Sequence, residues 1–217
     1  DFNGSRQEGA GYYQASARNG RRSSCAAAYL RPAQRRGNLR IETDALATRI
    51  RFEGQRAVGV DYLRGGQSLT TRAAREVLLC GGSFNSPQLL QLSGVGSAAL
   101  LQSHGIPVVL DAPGVGAGLQ EHFYVRTVWK CTRAITFNDA LGSWPRRIGT
   151  GLRYLISRRG PLTVSAGYAG AFVRTRAELS RPDVQLYFIN FSTDKMGTGL
   201  HPFPAFTVSM SPLRPQS

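Results

Sequence analysis

Residues 75–96 (REVLLCGGSFNSPQLLQLSGVG) constrain the fold more than any other stretch of this 217-residue chain. Val77–Cys80 is a short apolar run of the kind that forms a buried strand. Gly81 and Gly82 follow it, and a glycine pair lets the backbone turn tightly and approach a ligand without a Cβ atom in the way. Pro87 suits a first helical turn, because its missing N–H is not needed there. The segment therefore predicts a strand, a glycine turn and the start of a helix.

The sequence also indicates where this helix begins and ends. Asn85 or Ser86 is a suitable N-cap, and a helix over Pro87–Leu92 presents leucines on one face. Gly94 can end the helix in the left-handed conformation. A helix N-terminus after a glycine turn suits a phosphate or an extended cofactor, because its free N–H groups point at the ligand. Many α/β proteins contain the same turn without a ligand, so the spacing leaves both interpretations open.

Two further regions have the pattern of antiparallel sheet. Residues 39–79 predict a β-meander with hairpin turns at Gly54 and Gly65-Gly66. Beyond residue 122 the pattern changes to a second, largely antiparallel sheet. The predicted strands are Leu39–Ile41, Ala47–Phe52, Ala57–Tyr62, Leu69–Arg72, Val77–Cys80, Ile106–Leu110, Val125–Cys131, Ala169–Arg174, Val184–Phe191 and Ala205–Met210. The predicted helices are Ala26–Arg35, Pro87–Leu92, Ala98–His104 and Gly149–Ser157, and Ala112–Gly118 is a glycine-rich loop.

The chain is strongly basic, with a formal net charge of +14 and a pI near 10.8. Such a balance is typical of nucleic-acid-binding proteins. Here the basic residues are nearly all arginines, and they are spread along the sequence in pairs such as Arg21-Arg22 and Arg158-Arg159. We interpret them as solvated surface and expect no nucleic-acid partner, with a basic RNA- or DNA-binding module as the alternative. No stretch approaches the roughly 20 apolar residues of a membrane span.

The three cysteines indicate neither a metal site nor a redox motif. Cys25, Cys80 and Cys131 are widely and irregularly spaced, and the sequence contains no C-x-x-C. We expect each to be a small buried or half-buried thiol. Unpaired thiols favour a reducing compartment. The predicted location is therefore the cytoplasm, with peripheral membrane attachment and an upstream targeting signal left open.

The literal residues around the glycine turn resemble those of a known enzyme family. Gly82-Ser83-Phe84-Asn85-Ser86-Pro87 through Ser93-Gly94-Val95-Gly96 is similar to the second signature of the glucose–methanol–choline (GMC) oxidoreductases, which are flavin enzymes that oxidise alcohols. Further blocks resemble the choline-dehydrogenase-like branch in order and distance over about 120 residues. These blocks are Asn19–Ser24, Ala28–Pro32, His104–Val109, Pro113–Gly116 and Leu119–His122.

The resemblance implies a mixed α/β (α+β) fold in two parts. Residues 1–122 would be the later part of a Rossmann-like FAD-binding domain, and residues 123–217 the beginning of a substrate domain built on an antiparallel sheet. It also implies an FAD-dependent oxidoreductase that transfers a hydride from a small-molecule alcohol to the flavin, with the electron acceptor and oligomeric state left open. Asp1–Gly4 resembles the middle of the family pattern, and the sequence ends at Ser217 just after a predicted strand, so we expect an internal fragment. An inactive remnant of such an enzyme is the alternative.

Two places resemble the FAD contacts of the family. Ala47 falls where members place a small residue whose backbone hydrogen-bonds the adenine, and an ordinary strand residue is the alternative. Gly81, Gly82 and Ser83 form the second place, where close backbone approach is feasible. There the alternative is a packing turn.

Other parts of the family pattern have no counterpart in this chain. The G-x-G-x-x-G fingerprint after the first strand is absent, and so is the catalytic histidine near the C-terminus of full-length members. We therefore assign no catalytic residue and no metal ligand. His104 is predicted to lie at a helix end, where a cation is favourable, and His201 to lie in a loop. His122 is interpreted as structural, with a minor role near the flavin left open.

The substrate is not fixed by the resemblance. Tyr168 stands at a position where choline-type members often carry Glu. Loss of this carboxylate removes a partner for a quaternary ammonium group, although an aromatic ring can bind a cation through its face. Tyr168 packed against the sheet is the other interpretation. Choline is therefore doubtful as the substrate.

Overall fold

The computed structural model describes residues 1–195 and 197–215, which form two compact units. The meander unit consists of Asn38–Gln120, and the sheet unit combines Asp1–Gly37 with the described residues from Glu121 to 215. The sequence analysis placed residues 1–37 in one domain with residues 38–122. In the structure, residues 1–37 instead form a compact unit with the segment that begins at Glu121. The functional boundary between residues 122 and 123 stays a prediction, since compactness alone does not define it.

Helices and strands follow one another along the described residues in this order: β1 (Gly9–Tyr12), β2 (Ala17–Arg18), β3 (Arg21–Arg22), a π-helical turn (Ala26–Leu30), α1 (Arg31–Ala33), β4 (Ala45–Glu53), β5 (Arg56–Arg64), β6 (Gln67–Arg72), α2 (Gly82–Leu92), β7 (Val95–Gly96), α3 (Ala98–Ser103), β8 (Leu110–Asp111), β9 (Val125–Lys130), α4 (Phe137–Ala140), α5 (Trp144–Ser157), a 3₁₀ turn (Pro161–Thr163), β10 (Gly167–Val173), β11 (Val184–Ile189) and β12 (Ala205–Pro212). The predicted mixture of helices and antiparallel sheets is confirmed.

The sheet unit is built on five antiparallel strands in the order β1-β10-β11-β12-β9. Alternate residues of β12 are buried, namely Ala205, Thr207, Ser209 and Ser211. On the other side of the sheet, Phe206 packs against Phe188 with ring centroids 5.1 Å apart. One face of β12 therefore carries small and polar residues, and its opposite face carries the aromatic ring of Phe206.

The meander unit contains the predicted β4-β5-β6 hairpins. Gly65 and Gly66 both have positive φ values, of +55° and +77°. This is the backbone of a type I′ turn, whose twist matches the strands that it joins. Gly54 also has a positive φ, of +57°, and begins the two-residue turn between β4 and β5. Both predicted hairpin turns are confirmed.

Three strand predictions in the meander unit are wrong or too long. Val77–Cys80 and Leu39–Ile41 are irregular, and within the described residues no strand pairs with either segment. Leu78 is 75% exposed, so the apolar run is not a buried strand. A strand needs a neighbour to take its N–H and C=O groups, and sequence pattern does not show whether one is present. The predicted strand Ile106–Leu110 is reduced to Leu110–Asp111, which pairs in parallel with β7.

The helix predictions have the right locations but several wrong ends. Helix α2 begins at Gly82 rather than Pro87 and contains Pro87 in its interior, and the Gly81 N–H before it donates to Ser86 Oγ at 3.0 Å. Helix α5 begins five residues before the predicted start at Gly149. Instead of one helix over Ala26–Arg35, the chain forms the π-helical turn and the short α1.

The structure also bears on the predictions about the cysteines and about membrane-spanning segments. Cys25 and Cys80 are exposed, not buried or half-buried, whereas Cys131 is half-buried as expected. Among the described residues, every helix is too short or too polar to cross a lipid bilayer.

Candidate functional site

The start of α2 presents a glycine in a conformation that side chains disfavour. Gly82 has a φ of +80°, and an added Cβ would meet nothing within 4 Å among the described residues. Space is therefore not what requires glycine here; the backbone conformation is. Gly82 and Ser83 are both exposed at the first turn of this helix. A helix start of this kind can accept an anionic group.

An apolar cavity of about 450 Å³ lies between the meander and α2. Ala47 of β4 and Gly81 both line it, together with Val60, Leu79 and Leu89. Its size falls within the usual range of small-molecule sites, and its apolar walls suit a flat aromatic ring. The structure thus brings together two of the four predicted cofactor residues, which are 34 positions apart in the sequence.

Ser83 lies in a second cleft, of about 870 Å³, between α2 and the glycine-rich loop at residues 112–118. Gln91 fixes this loop, because its Nε2 donates to the Val115 carbonyl at 3.0 Å. Gly116 has a φ of +82°, and a Cβ there would come within 2.6 Å of Gln91 Nε2. Gly82 belongs to the lining of neither the described cavity nor the described cleft.

The sheet unit contains a separate cavity of about 480 Å³ on the side of its sheet that carries Ser209 and Ser211. We call it the sheet cavity. Its lining comprises His122, Tyr124, Arg126, Gly167, Tyr187, Ile189, Ser209 and Ser211. Arg126 stands out, because its Nη2 is buried and has no hydrogen-bond partner among the described residues. The structure thus places His122 beside a cavity, and its role near a flavin stays a prediction.

Sequence reasoning missed Arg126 as a site residue. The alternation of Val125–Cys131 predicted a strand, and β9 confirms it. A charged residue within such a strand is a signal, since one side of a strand in a sheet unit is usually covered. Which side Arg126 faces depends on the pairing of β9 with β12, and this pairing is not visible in the sequence.

The other two histidines have structural surroundings. His104 is the C-cap of α3, as expected. His201 lies in a loop, also as expected, and its ring nitrogens bond Ser192 Oγ and Asp194 Oδ1, each at 2.9 Å. Asn138 binds the same loop from α4, with its Nδ2 donating to the His201 carbonyl at 3.0 Å. Ser192 is fully buried, so this network orders the loop and offers no accessible nucleophile.

Tyr168 lies on the same side of the sheet as Phe188 and contacts two aromatic rings. Its ring stacks on Tyr12 at 5.9 Å with an interplanar angle of 11°, and it meets the edge of Phe188 at 6.0 Å. These contacts match the interpretation of a packed residue. The ring faces that could attract a cation are partly occupied by Tyr12.

Three groups have shifted pKa values, and each shift has a local cause. Burial raises the pKa of the Tyr13 phenol. The Thr70 hydroxyl donates to Asp61 at 2.7 Å and lowers the pKa of that carboxyl group. Hydrogen bonds from Thr175 likewise lower the pKa of Asp183. Among the described residues, no cluster of three His, Cys, Asp or Glu side chains could hold a metal ion.

Comparison with known proteins gives the family of this chain. Residues 1–124 match the family model described as GMC oxidoreductase. Mitochondrial choline dehydrogenase of Homo sapiens is 41% identical over 99% of this chain and 36% of its own length. Oxygen-dependent choline dehydrogenase of Burkholderia multivorans is 42% identical over 99% of this chain and 38% of its own length.

A solved structure shares the fold. It comes from work on FAD modification in Aspergillus oryzae formate oxidase, and it superimposes with a TM-score of 0.77 at 25% identity, over 92% of this chain and 39% of that one. The chain therefore spans little more than a third of the length of these relatives.

Proposed function

Because the chain belongs to the GMC oxidoreductase family, we propose that it is part of an FAD-dependent oxidoreductase that acts on the CH–OH group of a small-molecule alcohol. The observation that carries this proposal is the family match over residues 1–124. The identity of 41–42% to two choline dehydrogenases over 99% of the chain supports it. This chain spans about a third of the length of these relatives. The activity is therefore proposed for the whole protein of which this chain is a part.

The residues of the meander unit fit an FAD molecule. The cavity that contains Ala47 and Gly81 has the size and apolar walls that an adenine ring needs. The start of α2, where Gly82 and Ser83 are exposed, suits the pyrophosphate, because the first N–H groups of a helix have no acceptor within the helix. We therefore assign cofactor binding to these four residues. When bound, FAD supplies the redox chemistry by accepting a hydride, while the protein binds and orients the reactants.

The proposed domain division follows from the same reasoning. Residues 1–122 would contribute to the FAD-binding domain and residues 123–217 to the substrate domain, with the sheet cavity as the place for substrate groups. The free thiols at Cys25, Cys80 and Cys131 support a reducing compartment such as the cytoplasm.

The experiment that tests the function isolates the protein at its natural length, through an affinity tag added at the chromosomal locus. The purified protein should show the visible absorbance of oxidised flavin, and anaerobic addition of an oxidisable alcohol should bleach it. A flavin that no alcohol in a chemically varied panel reduces would contradict the proposed reaction. A protein that contains no flavin would contradict the cofactor as well.

A pair of alanine variants tests the cofactor site itself. In Ala47→Leu the larger side chain fills part of the cavity, so the FAD content of the purified protein should fall several-fold. Ala45→Leu makes the same change on the same strand at a residue outside the cavity lining, and it should leave the FAD content unchanged. Equal FAD content in both variants would remove Ala47 from the site without affecting the family assignment.

A further inference from the structure

Three residues of the sheet cavity lie in one row across the sheet. Arg126 of β9 pairs with Ser209 of β12, and Ser209 pairs in turn with Tyr187 of β11. Paired residues in an antiparallel sheet point to the same side. The register of three strands therefore aims one guanidinium group and two hydroxyl groups into the same cavity.

The guanidinium group in this row has unused hydrogen-bonding capacity. The Tyr187 hydroxyl donates to Gln185 Oε1 at 2.8 Å, and the neighbouring Ser211 hydroxyl donates to the Phe123 carbonyl at 2.7 Å. Arg126 Nη2 is buried without a partner in the described chain. A buried charged donor without an acceptor is unfavourable, and a bound anion is the partner that would satisfy it best.

The surroundings of Arg126 also favour a negative ligand. The described lining of the sheet cavity includes Arg126 and His122 but no Asp or Glu. Nearly all of the excess positive charge of the chain lies in the sheet unit. An alcohol that carries a quaternary ammonium group would meet an uncompensated guanidinium charge here, and like charges at close range are costly.

We propose that the sheet cavity binds the carboxylate of a hydroxy-acid substrate through Arg126. This inference rests on the proposed function, because it names the substrate class for the same enzyme. Arg126 can hold both carboxylate oxygens with its planar fork of N–H groups. The hydroxyl of Ser209, directly beside it in the sheet, is placed to bind the same group. The role of Arg126 is substrate binding and specificity, and it takes no part in moving protons or hydrides.

The test uses the natural-length, flavin-containing protein and acetate as a non-oxidisable carboxylate probe. Calorimetry should show that acetate binds and that Arg126→Gln weakens its binding by about 10- to 100-fold, the effect expected for a lost charged hydrogen bond. Arg126→Lys keeps the charge but loses the fork, so its affinity should be intermediate. Arg159→Gln, a matched change at an exposed arginine outside the cavity lining, should bind acetate like the unmodified protein.

Steady-state kinetics provide the second readout. With glycolate as the hydroxy acid, Arg126→Gln should raise KM by a similar factor and change kcat little, since the lost contact is made equally in bound substrate and transition state. The inference is overturned if Arg126→Gln binds acetate as tightly as the unmodified protein, if inorganic phosphate binds and acetate does not, or if choline is oxidised more efficiently than glycolate.

These results are distinguishable from failure of the proposed function. Reduction of the flavin by any alcohol in the panel supports the oxidoreductase, whatever acetate does. If Arg126→Gln does not fold, as judged by far-UV circular dichroism, Arg126→Lys decides the question. An unchanged acetate affinity together with an unchanged glycolate KM in that variant overturns the role of Arg126.

Discussion

Gly94 joins the end of α2 to β7, and its replacement by alanine tests how tightly this junction is packed. Gly94 has a φ of +93°. An alanine Cβ at this position would lie 2.5 Å from the Pro107 carbonyl oxygen and 2.9 Å from Val109 Cγ2. Both distances are too short for unstrained contact, and the first one involves backbone that cannot rotate away. The substitution therefore imposes two separate costs on the meander unit.

The two costs can be given magnitudes. Left-handed backbone costs a side-chain-bearing residue about 1–2 kcal/mol. Forcing extra atoms into a filled space costs about 1–3 kcal/mol more. Gly94→Ala should therefore lower the free energy of unfolding by about 2–5 kcal/mol. In a unit of fewer than 100 residues, each 1 kcal/mol lowers Tm by about 4–8 °C.

Gly105→Ala is the matched control. Gly105 also has a positive φ, of +68°, but within the described residues nothing lies closer than 4 Å to an added Cβ. This variant should lose only the conformational 1–2 kcal/mol or so. Thermal and urea unfolding of the purified chain, followed by circular dichroism, measure both. Equal losses of stability in the two variants would refute the argument from packing.

Three further predictions concern hydrogen bonds. Ser93 is buried, and its Oγ accepts from the Ile50 N–H at 2.8 Å; Ser93→Ala should cost about 1–3 kcal/mol in urea unfolding and speed hydrogen exchange at Ile50, and unchanged exchange would contradict it. Because its pKa is lowered, Asp61 contributes stability above its unfolded pKa that is lost as the pH falls through the folded pKa. Thr70→Val should raise the pKa of Asp61 in an NMR titration, and an unmoved pKa would show that Thr70 is not the cause. The Asn138 amide is buried and bonds several loop carbonyls; Asn138→Leu should cost at least about 2 kcal/mol in thermal unfolding, a loss that a surface substitution would not produce.

The features that the sequence predicted correctly are those encoded by neighbouring residues. The turn at Gly65-Gly66 needs positive φ values at two successive positions, and only the local sequence decides this. The same holds for Gly94 at the end of α2, whose positive φ was expected. The start of α2 was misplaced, because the proline rule puts Pro87 in the first turn, whereas the helix begins at Gly82 and has Pro87 in its interior.

The features that the sequence did not predict depend on distant partners. Val77–Cys80 has the composition of a buried strand, yet in the described structure it lacks a neighbour that would make it one. The cavity shared by Ala47 and Gly81 requires the meander to pack on α2, which periodicity does not reveal. Ala47 and Gly81 were both named as cofactor residues only because of the resemblance to a known family, since residue patterns along the chain do not connect them.

The two sites differ in what a relative can reveal about them. The proposed cofactor site is made largely of backbone, through the glycine turn and the start of α2, and backbone geometry persists wherever the fold persists. The positive charge that we assign to the sheet cavity comes from a single side chain, Arg126. Replacing Arg126 with an acidic residue would reverse the charge that the cavity prefers in a ligand. A relative that is 42% identical therefore supports the cofactor more strongly than it supports the substrate. For this reason the cofactor of a relative is transferred to this chain more safely than its substrate, and Arg126, whose Nη2 is buried without a partner among the described residues, is the residue on which the substrate proposal depends.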